Sequence, residues 1–425
     1  MPRLLYTVLL SIFIPLYFLR LVYKGIGNKD YLFRWKERLG LYNSSPDKSK
    51  KLVWIHSVSV GEVNASIPLI RNLLNTYPDF EILVTTTTPT GSDILLNQLG
   101  SRVKHQYIPI DLPLFIKVFL NHWRPEIFLI LETEIWPNFI NECNKRLIPS
   151  VLLNARLSDE SKDSYLKIKP LIEPTLRQLD KILVQFESDK VNFNLLDPSL
   201  KIQTCGNLKF DQEISSELSK ITNSIRASWS IEGKNRPTLI AASTHELEEE
   251  ILLDSFKTIR DTLPNSLLIL VPRHLERSNK VKKLISRKGF NFSLRSQKEN
   301  VTEDTEVLLG DTMGELSFLY ALSDLAFVGG SLIDHGGQNL LEPASLGLPI
   351  CSGPHLRNFL EISRHLKKEQ GLKIINNSED ITKLFLDINS DKQLAESMGQ
   401  AAQKVYLSNR GALDNILNHL HSYFK

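Results

Sequence analysis

Residues 52–86 read LVWIHSVSVGEVNASIPLIRNLLNTYPDFEILVTT. Leu52–Ile55 is a short apolar run, Val63–Leu74 repeats its apolar residues at helical spacing, and Ile82–Thr86 is a second short apolar run. Strand, helix and strand in immediate succession make a βαβ unit, and its strands run parallel. Parallel strands are covered on both faces by their crossover helices, which is why these runs are continuously apolar rather than alternating. The pattern continues outward. Gln106–Ile110, Ile127–Leu131, Ser150–Leu153 and Lys181–Val184 read as strands, with Leu114–Trp123 helical. From Phe210 to Arg236 the chain turns polar, with one helical segment near Glu217–Trp229 and then Gly233-Lys234-Asn235. Strand-like runs resume at Thr238–Ala242, Leu267–Val271, Glu306–Leu309, Leu325–Val328, Pro349–Cys351 and Lys373–Ile375. The expectation is an α/β protein of two Rossmann-like domains, 25–212 and 213–425, with the last helix a candidate to cross back. Ligands of open α/β sheets bind beyond the carboxyl ends of the strands. The cleft across which two such domains would face is therefore the expected site.

A chain of 425 residues is long enough for two domains, and 42% apolar with 23% charged residues is globular. The net charge of +3 is too small for the field of a nucleic-acid binder, so no nucleic-acid partner is expected. Cys143, Cys205 and Cys351 lie far apart, which argues against both a disulfide scaffold and a zinc site.

The N-terminal segment, 1–24, departs from a soluble composition. Leu4 to Leu19 carries no formal charge and is mostly Leu, Ile, Phe, Val and Tyr, interrupted by Pro15. Roughly 16 residues fall short of the ~20 that span a bilayer comfortably. Arg20, Lys24, Lys29, Arg34, Lys36 and Arg38 follow, and no small-residue cleavage motif does. The charge bias keeps the bulk of the chain cytoplasmic. A short signal anchor and a helix lying in the membrane interface both fit.

Residues that follow the strands carry the candidate chemistry. After the first strand comes His56-Ser57-Val58-Ser59-Val60-Gly61-Glu62. Ser59 and Glu62 have capping-box spacing. The same Glu62, kept ionised by a helix N-terminus, is a candidate general base. Glu132-Thr133-Glu134-Ile135-Trp136-Pro137 follows the fourth strand, and alternation points both carboxylates to one side of an extended chain. Asn154-Ala155-Arg156 ends the fifth strand and offers a candidate donor, and Lys209 closes the domain as a cation that can stabilise a departing anion.

In the second half, Ser243-Thr244-His245-Glu246, Pro272-Arg273-His274, Gly310 to Leu316, Gly329-Gly330-Ser331 and His335 to Pro343 each follow an apolar run. Glycines let a backbone approach a phosphate, and helix N-termini offer it N–H donors. Arg273 can bind phosphate through two bonds, and Glu342 can accept the hydroxyls of a ribose. Together these point to a nucleotide site. Walker, Gly-x-Gly-x-x-Gly and Asp-x-Asp motifs are absent from the sequence. A metal-free reaction with a leaving nucleotide that carries one phosphate fits that pattern, so no metal site and no cofactor are expected.

The segments 56–62, 132–138, 207–211 (Asn-Leu-Lys-Phe-Asp), 271–274 (Val-Pro-Arg-His), 310–316 and 336–343 resemble, in order, those of the 3-deoxy-D-manno-octulosonic acid (Kdo) transferases of Gram-negative bacteria. The resemblance implies a GT-B fold with an N-terminal membrane-associated helix. It implies inverting, metal-independent transfer of Kdo from CMP-Kdo onto a lipid A precursor, lipid IVA, at the cytoplasmic face of the inner membrane. On it, Glu62 is the base, and Glu132 and Lys209 stabilise the transition state. Pro272 and Arg273, Met313, Gly314 and Glu315, and Asn339, Leu340, Leu341 and Glu342 contact CMP. A diphosphorylated acceptor would suit the basic stretch Arg34–Arg38. Two positions differ from the family's pattern: Leu247 stands where a glycine is often found, and Gln338 stands in the Gly-Gly-x-Asn segment. The competing expectations are a GT-B relative that uses another sugar nucleotide, as a UDP-sugar transferase or epimerase, and a non-catalytic sugar-nucleotide-binding membrane protein.

Overall fold

A computed structural model describes residues 2–42, 44–211, 216–297 and 299–424. The expected boundary at 212/213 lies outside the described residues. The chain forms two compact units, Met1–Gln212 with Arg410–Lys425, and Glu213–Asn409. Among the described residues each unit contains one seven-stranded sheet, parallel throughout.

The first sheet comprises β1 (Lys51–His56), β2 (Phe80–Thr86), β3 (Lys104–Tyr107), β4 (Ile127–Leu131), β5 (Ser150–Ala155), β6 (Lys181–Val184) and β7 (Ile202–Thr204), in the order β3-β2-β1-β4-β5-β6-β7. Val53 and Ile55 of β1 pack with Val63, Ile67 and Ile70 of the helix Val60–Thr76 and with Ile416 and Leu420 of the C-terminal helix. Leu52 and Trp54 point the other way, against Phe119, Phe128 and Phe139. Both faces of the sheet are therefore dry, as a parallel sheet requires. The order reverses between β1 and β4, and β1 ends there at His56 and β4 at Leu131. The C-terminal residues are held to this unit by Asp211, whose carboxylate accepts the amides of Gly411 and Leu413, each at 2.7 Å.

The second sheet comprises β8 (Thr238–Thr244), β9 (Leu267–Pro272), β10 (Phe292–Leu294), β11 (Val307–Leu309), β12 (Leu325–Val328), β13 (Ile350–Ser352) and β14 (Leu372–Ile374), in the order β10-β11-β9-β8-β12-β13-β14. Its switch point lies between β8 and β12. Leu239, Ala241 and Phe256 pack on one face, and Ile240, Ala242, Leu319 and Tyr320 on the other. The doubly wound fold class is thus present twice, and the chain is of the GT-B type.

The N-terminal apolar run continues into a helix longer than the run itself. Pro2–Gly27 spans 26 residues with Pro15 inside it, long and apolar enough to cross a membrane. Only its less apolar side meets the domain. Tyr6 donates to Asp111 at 2.9 Å, Thr7 exchanges bonds with Asn138, and Tyr17 accepts from Arg38 at 2.8 Å. Leu5, Ile12, Leu16, Leu19 and Ile26 remain exposed. The basic stretch that follows is not uniformly available to an acceptor, contrary to expectation. Arg38 is 2% exposed, with its guanidinium 4.4 Å from the Tyr107 ring centre and bonded to the Thr87 carbonyl. Arg34 lies over the same ring and pairs with Glu37. Of the three basic side chains in this stretch, Lys36 remains exposed and has no such engagement among the described contacts.

Candidate active site

Ser59 is the N-cap of the helix Val60–Thr76. Its hydroxyl accepts from the Glu62 amide at 3.4 Å and donates to Glu62 Oε1 at 2.8 Å. Glu62 Oε2 accepts from the Val58 amide at 2.6 Å. The Ser59 cap is therefore formed, but Glu62 reaches back to the Val58 amide and the Ser59 hydroxyl rather than to the Ser59 amide, so the reciprocal half of the expected capping box is displaced by one residue. Glu62 is 5% exposed. Each carboxylate oxygen takes one of these bonds and retains a second lone pair. Contrary to expectation, the helix N-terminus does not hold the Glu62 carboxyl in the ordinary carboxylate range. Burial, then the charge of Glu132, push its pKa up to about 7, against the opposing pull of the bonds from Val58 and Ser59. A terminal dipole contributes only about 0.3–1 kcal/mol at exposed positions, which burial of a carboxylate exceeds. A carboxyl group poised near neutrality suits proton abstraction better than a fully acidic one.

β4 stops at Leu131 because Glu132 turns into the left-handed region at φ 55°. The alternation expected to aim Glu132 and Glu134 to one side is thereby broken. Glu132 Oε1 pairs with Lys209 Nζ at 2.7 Å, both groups about a quarter exposed. Glu134 instead accepts the Trp136 indole N–H at 3.0 Å, and burial raises its pKa. Left-handed backbone at a non-glycine residue costs about 1–2 kcal/mol, and it is here what delivers the Glu132 carboxylate to Lys209.

Lys209 sits on a 3-10 turn, Leu208–Asp211, positioned by a relay of amides. Asn154, at φ 52°, accepts the Leu208 amide through Oδ1, and its carbonyl accepts Gln185 Nε2. Gln185 Oε1 accepts Asn207 Nδ2, and Asn207 Oδ1 accepts the Lys209 amide. Asn154 thus acts as an acceptor through Oδ1; its Nδ2 is buried without a partner among the described residues. Gln185 had no sequence signal, since a Gln after an apolar strand has no motif of its own.

In the second unit Arg273 follows Pro272 at the end of β9, and its amide donates to the Thr244 carbonyl at 2.9 Å. Its exposed guanidinium is close enough to Glu342 to favour that carboxylate's ionised form, while burial raises the Glu342 pKa more strongly. Glu342 accepts Asn339 Nδ2 at 3.2 Å and the Ser317 hydroxyl at 3.4 Å. Leu340 and Leu341 turn their side chains into the core, so only their backbone is available to a ligand. Met313 is exposed, and Gly314 takes φ 81°. Glu315 is held by Arg295 in a two-bond pair at 3.1 and 2.7 Å, with Thr312 as a further donor. Arg295 holds the Glu315 pKa below the usual range. Arg295 escaped the sequence reading because it follows an edge strand of three residues.

The Gly329-Gly330-Ser331 loop differs from expectation. The amides of Gly330, Ser331 and Leu332 are not open to a phosphate. They donate to the Glu248 carboxylate at 2.7, 2.9 and 3.0 Å, and the His245 amide joins them at 2.9 Å. Glu248 is fully buried and acts as an internal anion that ties the β8 exit to the β12 exit. Leu247, in the glycine-like place, takes φ 77°. Replacing Glu248 by Ala leaves several buried amides unpaired. We expect about 3–5 kcal/mol less stability in urea unfolding; a loss below about 1 kcal/mol would contradict the clamp.

Residues 33–212 match the family model described as 3-Deoxy-D-manno-octulosonic-acid transferase (kdotransferase), and residues 229–405 match that of glycosyl transferases group 1. The 3-deoxy-D-manno-octulosonic acid transferase of Haemophilus influenzae is 40% identical over 427 residues, covering 100% of this chain and 99% of its own. The chain belongs to the Kdo transferase family. A probable mitochondrial Kdo transferase of Arabidopsis thaliana is 33% identical, over 93% of this chain and 89% of its own. Among solved structures, a putative UDP-N-acetylglucosamine 2-epimerase from Listeria monocytogenes aligns with TM-score 0.60 over 88% of this chain and 97% of its own; at 19% identity it speaks for the fold alone. The Kdo transferase is thus a glycosyltransferase that transfers Kdo in lipopolysaccharide synthesis. Glu62, Glu132 and Lys209 lie on its first unit, and the Arg273–Glu342 group on its second.

Proposed function

We propose that this enzyme moves Kdo from CMP-Kdo onto a hydroxyl of a lipid A precursor, lipid IVA, with inversion at the anomeric carbon and without a metal ion, at the cytoplasmic face of the inner membrane. The observation that carries the reading is Glu62: a buried carboxyl group with its pKa near 7, beside the Glu132–Lys209 ion pair. Glu62 takes the proton of the acceptor hydroxyl. The oxygen forms its bond to the anomeric carbon on the face opposite the phosphate, and the bond to CMP breaks with its electron pair on the phosphate oxygen. A single displacement of this kind inverts the centre. Lys209 supplies positive charge on the first unit, and Arg273 does so on the second. Glu342 and Asn339 suit the hydroxyls of a ribose. A fixed cation beside a leaving phosphate takes the part that a divalent ion plays for a diphosphate.

The exposed apolar stripe of Pro2–Gly27 and the basic residues after it support attachment to an anionic membrane surface. Mass spectrometry of lipid IVA incubated with enzyme and CMP-Kdo tests the transfer directly. In excess EDTA the initial rate should stay within about twofold of the control; loss of activity that a divalent cation restores would end the metal-free reading.

A further inference from the structure

Three histidines from the segments that follow the strands, none of them given a role of its own above, converge on one place in the second unit. His245 follows β8 directly, His274 lies two residues beyond β9, and His335 stands in the loop after β12. These strands surround the switch point of the sheet, where open α/β sheets take their ligands. The His245 and His335 rings are stacked, with centroids 4.4 Å apart and planes at 21°, and His274 meets His245 edge-on at 5.6 Å. Gln338 Nε2 lies 3.3 Å from His245 Nε2. Gly330 permits this packing: a Cβ there would sit 3.2 Å from Gln338 Nε2 and 3.4 Å from the His245 ring.

We propose that His245, His274 and His335 form a protonatable wall of the donor site that receives an anionic oxygen of the sugar nucleotide, its phosphate or the carboxylate of its acidic sugar. The proposal rests on the reading of the second unit as the donor domain. The charges around the wall favour it. Glu248, the carboxylate beneath, is engaged by backbone amides. Arg277 is paired with Glu249, and Asp334 with Arg357, with His355 3.8 Å from the same Asp334 oxygen. Glu276 stands 3.9 Å from His274 Nδ1 but is largely exposed. Glu246, beside His245 in the chain, is also exposed. Arg273, next to His274, has no ion pair among the described contacts and adds a cation to the rim. Burial, then the neighbouring His335, holds the His245 pKa below its ordinary value. Two stacked imidazoles resist joint protonation until an anion lies against them. Binding of the donor therefore draws a proton onto the wall, and affinity rises as pH falls.

Calorimetry on the full-length enzyme tests this, with CMP-Kdo and with CMP as ligands, at about pH 6 and about pH 8, in buffers of different ionisation enthalpy. The wild type should bind CMP-Kdo about tenfold more tightly at the lower pH, with net proton uptake. His245→Gln/His335→Gln should lose both the pH slope and the uptake, with an unchanged unfolding midpoint as the control for folding. Titration of the CMP phosphate itself is common to both proteins and cancels in their difference. A difference seen with CMP assigns the wall to the phosphate, and one seen only with CMP-Kdo assigns it to the carboxylate. If the double variant binds CMP-Kdo with the same pH slope and proton uptake as the wild type, the wall is overturned and the donor-domain reading stands. If the wild type binds neither ligand at either pH, the donor-domain reading fails, and the proposal with it.

Discussion

Glu62→Gln should lower kcat by about a thousandfold while CMP affinity stays within about twofold. The amide is close to isosteric and can keep part of the cap, but it has no proton-accepting oxygen of comparable basicity. The wild-type rate should rise with pH through a midpoint near 7, because only the ionised form takes a proton and its folded pKa is about 7. The variant's residual rate should lack that limb. Stability gives an independent sign check. The folded pKa lies above the ordinary carboxylate value of 4.5, so the native state binds more protons than the unfolded state between about pH 4.5 and 7. Glu62 therefore destabilises the fold progressively across that window, by a shortfall that amounts to about 3 kcal/mol above it. Loss of the cap costs about 1 kcal/mol, so Glu62→Gln should be no less stable than the wild type at pH 8. Near-normal turnover in this variant, or a rate limb that persists unchanged, would remove Glu62 as the base.

How far the sequence could be read depended on where polarity sits. Ile127–Leu131, Lys181–Val184 and Leu325–Val328 were legible end to end because nothing polar interrupts them. β3 was expected at 106–110 and lies at Lys104–Tyr107. Its buried His105 bonds to Thr86 and the Gln106 amide nitrogen donates to Ser44, partners that a hydropathy pattern cannot register. β7 and β10 are edge strands of three residues, too short to stand out from loop. At the site, the Ser59–Glu62 spacing announced the cap, but whether the same carboxyl stays ionised depended on burial and on Glu132, from another strand. The Glu132/Glu134 pattern misled because a single left-handed residue re-aims everything after it. Glu248 illustrates the limit most sharply. The loop looked like a phosphate cradle because it is an anion cradle, and its anion is part of the chain.

Lys209→Met should produce the second largest loss, about a hundredfold in plateau kcat, together with a shift of the pH limb whose direction can be fixed in advance. Lys209 neutralises Glu132 at 2.7 Å, and Glu132 in turn is the charge that raises the Glu62 pKa after burial. Removing the cation unmasks Glu132, so ionising Glu62 becomes harder and the midpoint should move above 7 by about half a unit or more. Glu132→Gln removes the like charge instead, and its midpoint should move below that of the wild type. The two variants therefore shift the limb in opposite directions even if both lower the plateau. A role confined to shaping the turn Leu208–Asp211 predicts something else, a loss of rate with an unmoved midpoint, because backbone disorder does not change sign between the two substitutions. Lys209→Arg keeps the charge on a longer fork and should restore the midpoint while recovering only part of the rate. Shifts of the same sign in Lys209→Met and Glu132→Gln would show that the ion pair does not set the base, and Glu62 would have to owe its pKa to burial alone.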